Sequence, residues 1–529
     1  MKISKITLLF ALFGVNIAVS AQEYQHLIMY GQSLSTGYQS WPVISTNNVS
    51  GNYMIGDQIW INNGNMVFNM FRPLTGTVAK ASQTKPKTRA SGAQAECPLL
   101  GMANHLQRKT AGQYKFLATS AGTGNCSIEQ LSKESQTTTH YRDFTKALQS
   151  ASQINASIHC PALIWMQGEA NYTSSSTGLT IGSSSITYKY AYKALLLTLK
   201  NKMQKDVTLA YHQPDKPLFI TYQTGAQYMR NKELSISMAQ LEASNEQADI
   251  ICAGPVYPMT DRGGHLDPNG YRWFGEMLGK VYYKTIILGE DFKPLQPEKV
   301  SCEADGKTLK VKFHVPVPPL VLDTLIVEKI SDYGFEVYDN NVRKSIANIS
   351  VSDDCVYITC TTALTGTVEI AYAGYNASVR GHGNLRDSDP YAAYFTYLDL
   401  DRKVNGNYVY ERAADETTLR PSYEPRDASG VIYDKPYPLY NFSVSFYLKS
   451  EVAASSLPEI QAQEDAIKMI GHTLHVKALA GENIHIYTIT GQLISTAKAT
   501  GEWMPVYNLH KGIYIVRFTD KAFKVSITS

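Results

Sequence analysis

The most constraining feature of this 529-residue chain is a change in the period of its apolar residues near residue 290. Within residues 25–284, strand-like runs such as 163–166 alternate with helical runs such as 188–203. This alternation is typical of an α/β fold, in which helices connect the strands of a sheet. We therefore predict one α/β domain over residues 22–290.

The segment that follows has an apolar period of two. Residues 309–313, 325–327, 355–359 and 368–372 alternate apolar and polar side chains, as half-buried strands do. We predict an accessory β-sandwich over residues 298–450.

The remaining residues, 458–529, predict a small C-terminal β domain. Strand-like runs lie at 484–487 and 512–518, and about 70 residues suffice for an independent fold. The preceding Ala-Ala-Ser-Ser-Leu-Pro at 453–458 has the composition of a flexible linker.

The first 21 residues have the pattern of a secretory signal peptide. Lys2 and Lys5 precede an apolar stretch, and Val-Ser-Ala at 19–21 is a cleavage pattern, so we expect the mature chain to begin at Gln22. No later apolar run is long enough to span a bilayer. We expect a secreted, cell-surface or periplasmic protein without a membrane-spanning segment.

Charge and cysteine usage exclude several classes of protein. The formal net charge of +3 falls to +1 without the two lysines of the signal peptide, which argues against a nucleic-acid binder. The seven cysteines are widely spaced and form no C-x-x-C pair, so neither a zinc site nor a disulfide scaffold is indicated. With no phosphate-binding or dinucleotide-binding fingerprint either, we expect chemistry without a metal or cofactor.

A candidate nucleophile lies where the first predicted strand ends. The strand at 26–30 runs into Gly31-Gln32-Ser33, and such a turn brings a side chain to the carboxyl edge of a sheet. A G-x-S turn is common in proteins, and residue 35 is Ser, so the G-x-S-x-G nucleophile elbow is absent.

Two further strand ends carry groups that can stabilise an oxyanion. Gly122 and Gly124 offer backbone N–H groups, although they also fit an ordinary glycine turn. Gln167 has a side-chain amide that can donate, whereas Glu169 more plausibly anchors its loop; both also fit a polar strand end that caps the next helix.

An acid and an imidazole occur together about 230 residues after Ser33. Asp261 and His265 lie in a glycine-rich loop that precedes a predicted helix. A histidine on such a loop suits proton transfer, and the alternative is a helix-entry residue with a local hydrogen bond. Serine, histidine and acid together indicate a hydrolase.

In this order, the four elements resemble the SGNH (GDSL-like) hydrolase superfamily, most closely its carbohydrate acetylesterase branch, which includes sialate O-acetylesterases. The resemblance covers residues 25–284 and implies a three-layer α/β/α domain with a parallel sheet. The blocks that carry it are Gly31-Gln32-Ser33, Gly122 or Gly124, Trp165-x-Gln167-Gly168-Glu169, and Asp261 with His265.

The resemblance implies a role for each of these residues. Ser33 is expected to be the nucleophile, His265 the general base and acid, and Asp261 the residue that orients the imidazole. Because Asp261 lies four residues before His265 rather than the family's three, Asp267 is the alternative. The oxyanion hole is expected to combine the N–H of Ser33, that of Gly122 or Gly124, and the Gln167 amide, with Glu169 in support.

The C-terminal segment has a separate resemblance. Gly491 after a strand, and Leu509-His-Lys-Gly512-Ile-Tyr, resemble the sorting domains of type IX secretion in the Bacteroidetes. This implies delivery to the cell surface by that secretion machinery. A small structural or sugar-binding β module is the alternative.

Together these observations predict a secreted serine esterase that removes acetyl groups from carbohydrates, of glycan or sialic-acid type. The alternatives are a surface glycan-binding protein without turnover and a lipid or aryl esterase. Residues 381–390 form a polar loop that is expected to be solvated, unless it contacts substrate or the α/β domain.

Overall fold

The computed structural model describes residues 23–61, 69–83, 93–173, 188–225, 232–412, 417–451, 467–470, 473–488, 492–508, 512–518 and 521–527. By internal contacts the chain divides into two compact units, residues 1–453 and 454–529. The predicted signal peptide, the whole predicted linker at 453–458, Gly491 and residues 509–511 lie outside the described residues.

The first part of unit 1, called here the α/β region, alternates strands and helices. Its strands are β1 Tyr24–Gly31, β2 Asn52–Ile55, β3 Phe71–Pro73, β4 Lys115–Ser120, β5 Ile158–His159, β6 Ala162–Met166, β7 Leu218–Gln223 and β8 Ile250–Pro255. Its helices are α1 Lys80–Gln83, α2 Pro98–Lys109, α3 Ile128–Leu131, α4 Tyr141–Ile154, α5 Glu169–Thr173, α6 Lys189–Tyr211, α7 Ser235–Glu246 and α8 Pro268–Tyr282. A short 3-10 helix spans Ser33–Thr36, and a π-helical turn spans Tyr283–Ile287.

These strands form one sheet in the order β3-β2-β4-β1-β6-β7-β8, with β5 also paired to β1. All pairings are parallel except that of β2 with the edge strand β3. The first strand, β1, lies between β4 and β6, so the chain order reverses at β1. In open α/β sheets, ligands bind at the carboxyl ends of the strands at such a reversal.

Helices cover both faces of the sheet. Leu27 and Met29 of β1 share a core cluster with α2 and α8, whereas Ile28 and Tyr30 share one with α4, α6 and α7. Successive side chains of a strand point to opposite faces, and a strand buried on both faces is apolar throughout. The predicted three-layer α/β fold is confirmed.

The second part of unit 1, called here the β region, follows from residue 296. Its strands are β9 Gln296–Cys302, β10 Thr308–His314, β11 Val321–Leu322, β12 Phe335–Asp339, β13 Val342–Lys344, β14 Ile346–Ser352, β15 Cys355–Cys360, β16 Thr367–Tyr372, β17 Leu385–Arg386, β18 Ala392–Thr396, β19 Lys403–Val404, β20 Asn407–Tyr408, β21 Arg426–Asp427, β22 Gly430–Val431, β23 Pro436–Pro438 and β24 Phe446–Glu451. A 3-10 turn spans Ser331–Gly334.

Two antiparallel sheets dominate the β region, in the orders β14-β15-β10-β9 and β13-β12-β16-β24. Phe313 of the first sheet contacts Phe446 of the second, with 5.8 Å between ring centroids. Residues 325–327, predicted as a strand, form a bend instead, because the Asp323 carboxylate accepts the N–H groups of Leu325 and Ile326, both at 2.8 Å.

The loop at residues 381–390, expected to be solvated, is largely buried against both regions. Asp387 accepts hydrogen bonds from Asn441 at 2.7 and 2.9 Å. Asp389 forms an ion pair with the buried Lys280 of α8 at 3.2 Å. The loop therefore joins the β region to the α/β region.

Unit 2 is a small β structure with its own core. Its strands are β25 Ile467–Ile470, β26 Thr473–Val476, β27 Asn483–Thr488, β28 Leu493–Lys498, β29 Met504–Asn508, β30 Gly512–Phe518 and β31 Lys521–Ile527. They form two sheets, β25-β26-β29 and β28-β27-β30-β31. Across the described part of the whole chain, no helix combines the length and apolar character needed to cross a membrane.

Candidate active site

The turn that carries Ser33 lies at the carboxyl end of β1. A side chain at Gly31 would place its Cβ 1.9 Å from the Met166 carbonyl oxygen, so only glycine allows β1 to approach the end of β6 this closely. The next N–H, of Gln32, donates to that same carbonyl at 2.8 Å. Ser33 therefore begins its 3-10 helix at a position fixed by two adjacent strands.

Local hydrogen bonds hold this turn in shape. The Ser35 hydroxyl donates to the Gln32 carbonyl at 2.6 Å, and the Thr36 hydroxyl donates to the Ser33 carbonyl at 2.9 Å. Ser33 itself is 8% exposed, the most exposed residue of an otherwise buried turn. Such a turn presents a hydroxyl in one fixed place.

His265 meets this hydroxyl. Its Nε2 lies 2.8 Å from the Ser33 Oγ, although the two residues are 232 positions apart in sequence. With the proton on Nδ1, Nε2 accepts the serine hydrogen, which is the arrangement of a nucleophile and its base. The half-buried Tyr38 ring lies 4.9 Å from the imidazole, centroid to centroid, and limits how far it can swing.

The loop that holds His265 is a tight, glycine-dependent turn. Gly263 and Gly264 have φ angles of 86° and 108°, in the region that favours glycine. The Arg262 N–H donates to the His265 carbonyl at 2.9 Å and closes the turn. The paired glycines are thus required by the conformation that presents the imidazole.

Both candidate acids lie beside this loop. The Asp261 carboxylate accepts the N–H groups of Gly263 at 2.6 Å and Gly264 at 3.2 Å. Asp267 is the N-cap of α8 and accepts from Gly270 N–H and the Thr260 hydroxyl, both at 2.7 Å. Each acid thus shapes the loop through backbone or hydroxyl donors.

Asp267 is fully buried, and burial raises the pKa of its carboxyl group. Its second oxygen, Oδ2, has no hydrogen-bond partner among the described residues. The carboxyl group is held in this position by its bonds from the Gly270 N–H and the Thr260 hydroxyl.

The two candidate glycines have different surroundings. Gly122 is buried, and a Cβ there would lie 2.0 Å from the Ser35 hydroxyl. Glycine is therefore needed at this position so that the loop can pack against the Ser33 turn. Gly124 is exposed, with its Cβ position 3.9 Å from the Ser33 Cβ. Neither the Gly124 nor the Ser33 N–H donates to another described residue.

Gln167 is brought to the same edge but is committed to other partners. Its Nε2 donates to the Cys126 carbonyl at 3.2 Å and to the Asn171 side-chain oxygen at 2.6 Å. Its Oε1 accepts the Tyr192 hydroxyl at 2.9 Å, and the side chain is fully buried. Donation to an oxyanion would require one of these bonds to break.

Glu169 is buried behind the site. Its carboxylate accepts a short hydrogen bond from the Tyr222 hydroxyl, and burial raises its pKa to about 7. It is 1% exposed and begins α5. Its contacts are those of a group that anchors the loop.

Sequence reasoning missed the part played by Gln32. Its side-chain oxygen accepts the N–H groups of Gly168 at 3.2 Å and Ala170 at 2.9 Å, which ties the loop after β6 to the turn after β1. The sequence signal that could have indicated this role was the position of Gln32 directly before Ser33. Among the described residues, no cluster of three or more histidine, cysteine, aspartate or glutamate side chains could hold a metal ion.

A cavity of about 820 Å³ opens beside the His265 loop. Residues 257–264 form one wall, and segments of the β region around Ile330, Arg380 and Pro421 form the other. Its volume is that of a pocket for a ligand much larger than an acetyl group. We call it the interregion cleft.

Three solved structures illustrate what the chain is similar to. A carbohydrate acetylesterase from Xanthomonas citri is 12% identical, with a TM-score of 0.45 over 68% of this chain and 78% of its own. A carbohydrate acetylesterase from Sinorhizobium meliloti is 11% identical, with a TM-score of 0.27 over 50% of this chain and 99% of its own. An active-site mutant of a family two carbohydrate esterase from Clostridium thermocellum is 9% identical, with a TM-score of 0.28 over 51% of this chain and 66% of its own.

No protein-family model matches the chain, and a search of the curated proteins finds no match. With every TM-score here below 0.5, the similarity to these solved structures adds nothing to the functional assignment, which depends on the geometry of Ser33 and His265.

Proposed function

We propose that this protein is a serine esterase in which Ser33 is the nucleophile and His265 the general base. The observation that carries the proposal is the 2.8 Å contact between the Ser33 Oγ and the His265 Nε2, placed where the strand order reverses. A serine and a histidine that met only for packing would not need a fixed turn, a glycine-rich loop and an adjoining cleft.

The chemistry follows from that contact. As the Ser33 Oγ attacks an ester carbonyl carbon, its proton passes to the His265 Nε2, and the carbonyl becomes a tetrahedral oxyanion. The imidazolium then gives this proton to the departing alcohol, leaving an acyl group on Ser33. Water, deprotonated by His265, attacks the acyl carbon, and the carboxylic acid leaves as the proton returns to the Ser33 Oγ.

For the oxyanion hole we propose the backbone N–H groups of Ser33 and Gly124. One belongs to the nucleophile itself and the other to a residue whose Cβ position lies 3.9 Å from the Ser33 Cβ, and neither is donated to another described residue. Backbone donors of this kind stabilise charge as it develops, without reorganising. In this proposal Gln167 supports the loop, because its amide hydrogens already have acceptors.

We propose O-acetylated carbohydrates as substrates. The support is the ordered set of four sequence blocks that resembles carbohydrate acetylesterases. The proposed substrates include acetylated glycans and acetylated sugars of the sialic-acid type.

We also propose export, on the signal-peptide pattern of residues 1–21 and the resemblance of the C-terminal unit to sorting domains. Fractionating the producing cells and sequencing the N-terminus of the recovered chain tests this proposal. Recovery outside the cytoplasm with Gln22 first is the expected result, and an uncleaved cytoplasmic chain would contradict it.

The test of activity is acetate release from a chromogenic acetate ester and from acetylated glycans. We expect turnover by the full chain and loss of turnover in Ser33→Ala, with unchanged unfolding. Ser152→Ala is the matched control, because it removes an exposed serine hydroxyl that bonds only within α4, to the Gln149 carbonyl. Glycan binding without acetate release from any substrate would favour the alternative, a binding protein without turnover.

A further inference from the structure

The interregion cleft has a feature that ester hydrolysis alone does not need, namely positive charge from the β region. Lys329 and Arg380 line it, both are exposed, and neither forms an ion pair with a described residue. Glu328 is the exposed acidic side chain on the same wall. Two cations opposite one anion leave this wall with a net positive charge.

The other charged groups of the cleft already have partners, and Asp261 on the opposite wall accepts the N–H groups of Gly263 and Gly264. Arg420 binds Asp399 through two oxygens at 3.0 Å. Arg262 is buried and donates to the carbonyls of Trp41 at 3.0 Å and Leu419 at 2.7 Å. Lys329 and Arg380 are therefore the cations available to a ligand.

Arg380 is held in place by its own loop. Its φ of 51° is unusual for a residue with a side chain, and the loop compensates with backbone bonds from Val379 and Arg380 to the Asn376 carbonyl at 2.9 and 2.8 Å. Its Nε also donates to the Ala377 carbonyl at 3.2 Å, which leaves the terminal nitrogens of the guanidinium for a ligand. Non-glycine residues in this conformation concentrate at ligand sites.

An aromatic ring lies on the same wall. Tyr423 lines the cleft and is half-buried, and its hydroxyl donates to the Leu325 carbonyl at 2.7 Å. A ring fixed in this way offers a flat apolar face to a sugar. Cation and aromatic face together match a sugar that carries a negative charge.

We propose that the interregion cleft binds an anionic glycan, with Lys329 and Arg380 pairing a carboxylate or sulfate group of a sugar in the chain that bears the acetyl ester. This proposal rests on the proposed function, since it names the substrate class of that site. Ser33 and His265 do not themselves line the cleft, but residues 261–264, directly before His265, do. The cleft therefore adjoins the proposed reaction site, and the β region supplies its other wall.

The test is equilibrium binding to the full chain, measured by calorimetry with sugars that carry no acetyl group and so are not turned over. The probes are tetragalacturonate for carboxylates, neocarratetraose disulfate for sulfates, and cellotetraose as the neutral sugar. The variant is Lys329→Gln with Arg380→Gln. The matched control is Lys299→Gln with Lys307→Gln, which removes the same charge from exposed positions of the β region outside the cleft.

We expect at least one anionic probe to bind more tightly than cellotetraose, and the cleft variant to bind it about tenfold more weakly at low ionic strength. This difference should shrink as salt is added, and the control should bind as the unmodified chain does. The probe that responds identifies carboxylate or sulfate as the recognised group. Equal or absent binding of anionic and neutral probes, or equal loss in the control, would overturn the proposal.

Acetate release from the chromogenic ester, measured on the unmodified chain, keeps the two proposals apart. Charge-dependent binding without any ester hydrolysis would retain the anionic glycan site and refute the esterase. Hydrolysis with no preference for anionic probes would retain the esterase and refute the anionic site.

Discussion

Two loops at the same edge of the sheet carry polar side chains that have different surroundings. After β1, Ser33 presents its hydroxyl to His265. After β6, Gln167 is fully buried, and both ends of its amide have partners inside the protein. In the proposed function, the first loop supplies the reacting hydroxyl and the second holds the first in place.

The difference teaches that position at a strand end does not by itself assign a polar residue to the chemistry. Gln32 shows how the loops are coupled, because its side chain accepts two N–H groups from the loop after β6. Buried polar networks that are fully satisfied rigidify their surroundings. Substitutions in the two loops should therefore fail in different ways.

The largest effect is expected at the reactive pair. Ser33→Ala and His265→Gln should each lower kcat/KM for an acetate ester by about 10³-fold or more, since each removes a member of the proton-transfer pair. Steady-state kinetics and urea unfolding measured together check this. Loss of activity that merely follows loss of folded protein would contradict the assignment.

The next effect is expected in the buried network. Gln167→Leu should lower the free energy of unfolding by about 2–4 kcal/mol, because the Tyr192 hydroxyl, the Cys126 carbonyl and the Asn171 side-chain oxygen each lose one hydrogen bond inside the buried network. Urea unfolding measures this. A normally stable variant with a large fall in kcat would instead identify Gln167 as an oxyanion donor.

A pH-dependent effect is expected at Glu169. Because burial raises its pKa from 4.5 to about 7, the folded chain keeps a proton that the unfolded chain loses. The free energy of unfolding should therefore fall as pH rises through this window, by at most about 3 kcal/mol. Unfolding at several pH values should show a flatter profile for Glu169→Gln, and identical profiles would contradict the raised pKa.

The smallest effect is expected at Asp261. Its carboxylate accepts two N–H groups of the loop, and an amide oxygen in Asp261→Asn can still accept them, so we expect kcat/KM to fall by less than about tenfold. Kinetics on an acetate ester check this. A fall of about 10³-fold or more would show that Asp261 orients His265, as the family resemblance implies.

The sequence predicted the architecture well because periodicity is local information. The three-layer α/β fold is confirmed, and the structure brings Ser33 and His265 together across 232 positions. The partners of Gln167 could not be predicted, since Tyr192 and Cys126 reach it only through tertiary packing. The loop at 381–390 was expected to be solvated because its composition is polar. Its burial depends on tertiary contacts with Asn441 and Lys280, which the sequence does not show.

The most direct measurement of the central claim is labelling of the full chain with a fluorophosphonate, followed by peptide mapping. The account predicts one modified serine, Ser33, and loss of the label in His265→Gln, because the hydroxyl is nucleophilic only beside its base. Labelling of another serine, or equal labelling without His265, would contradict the account.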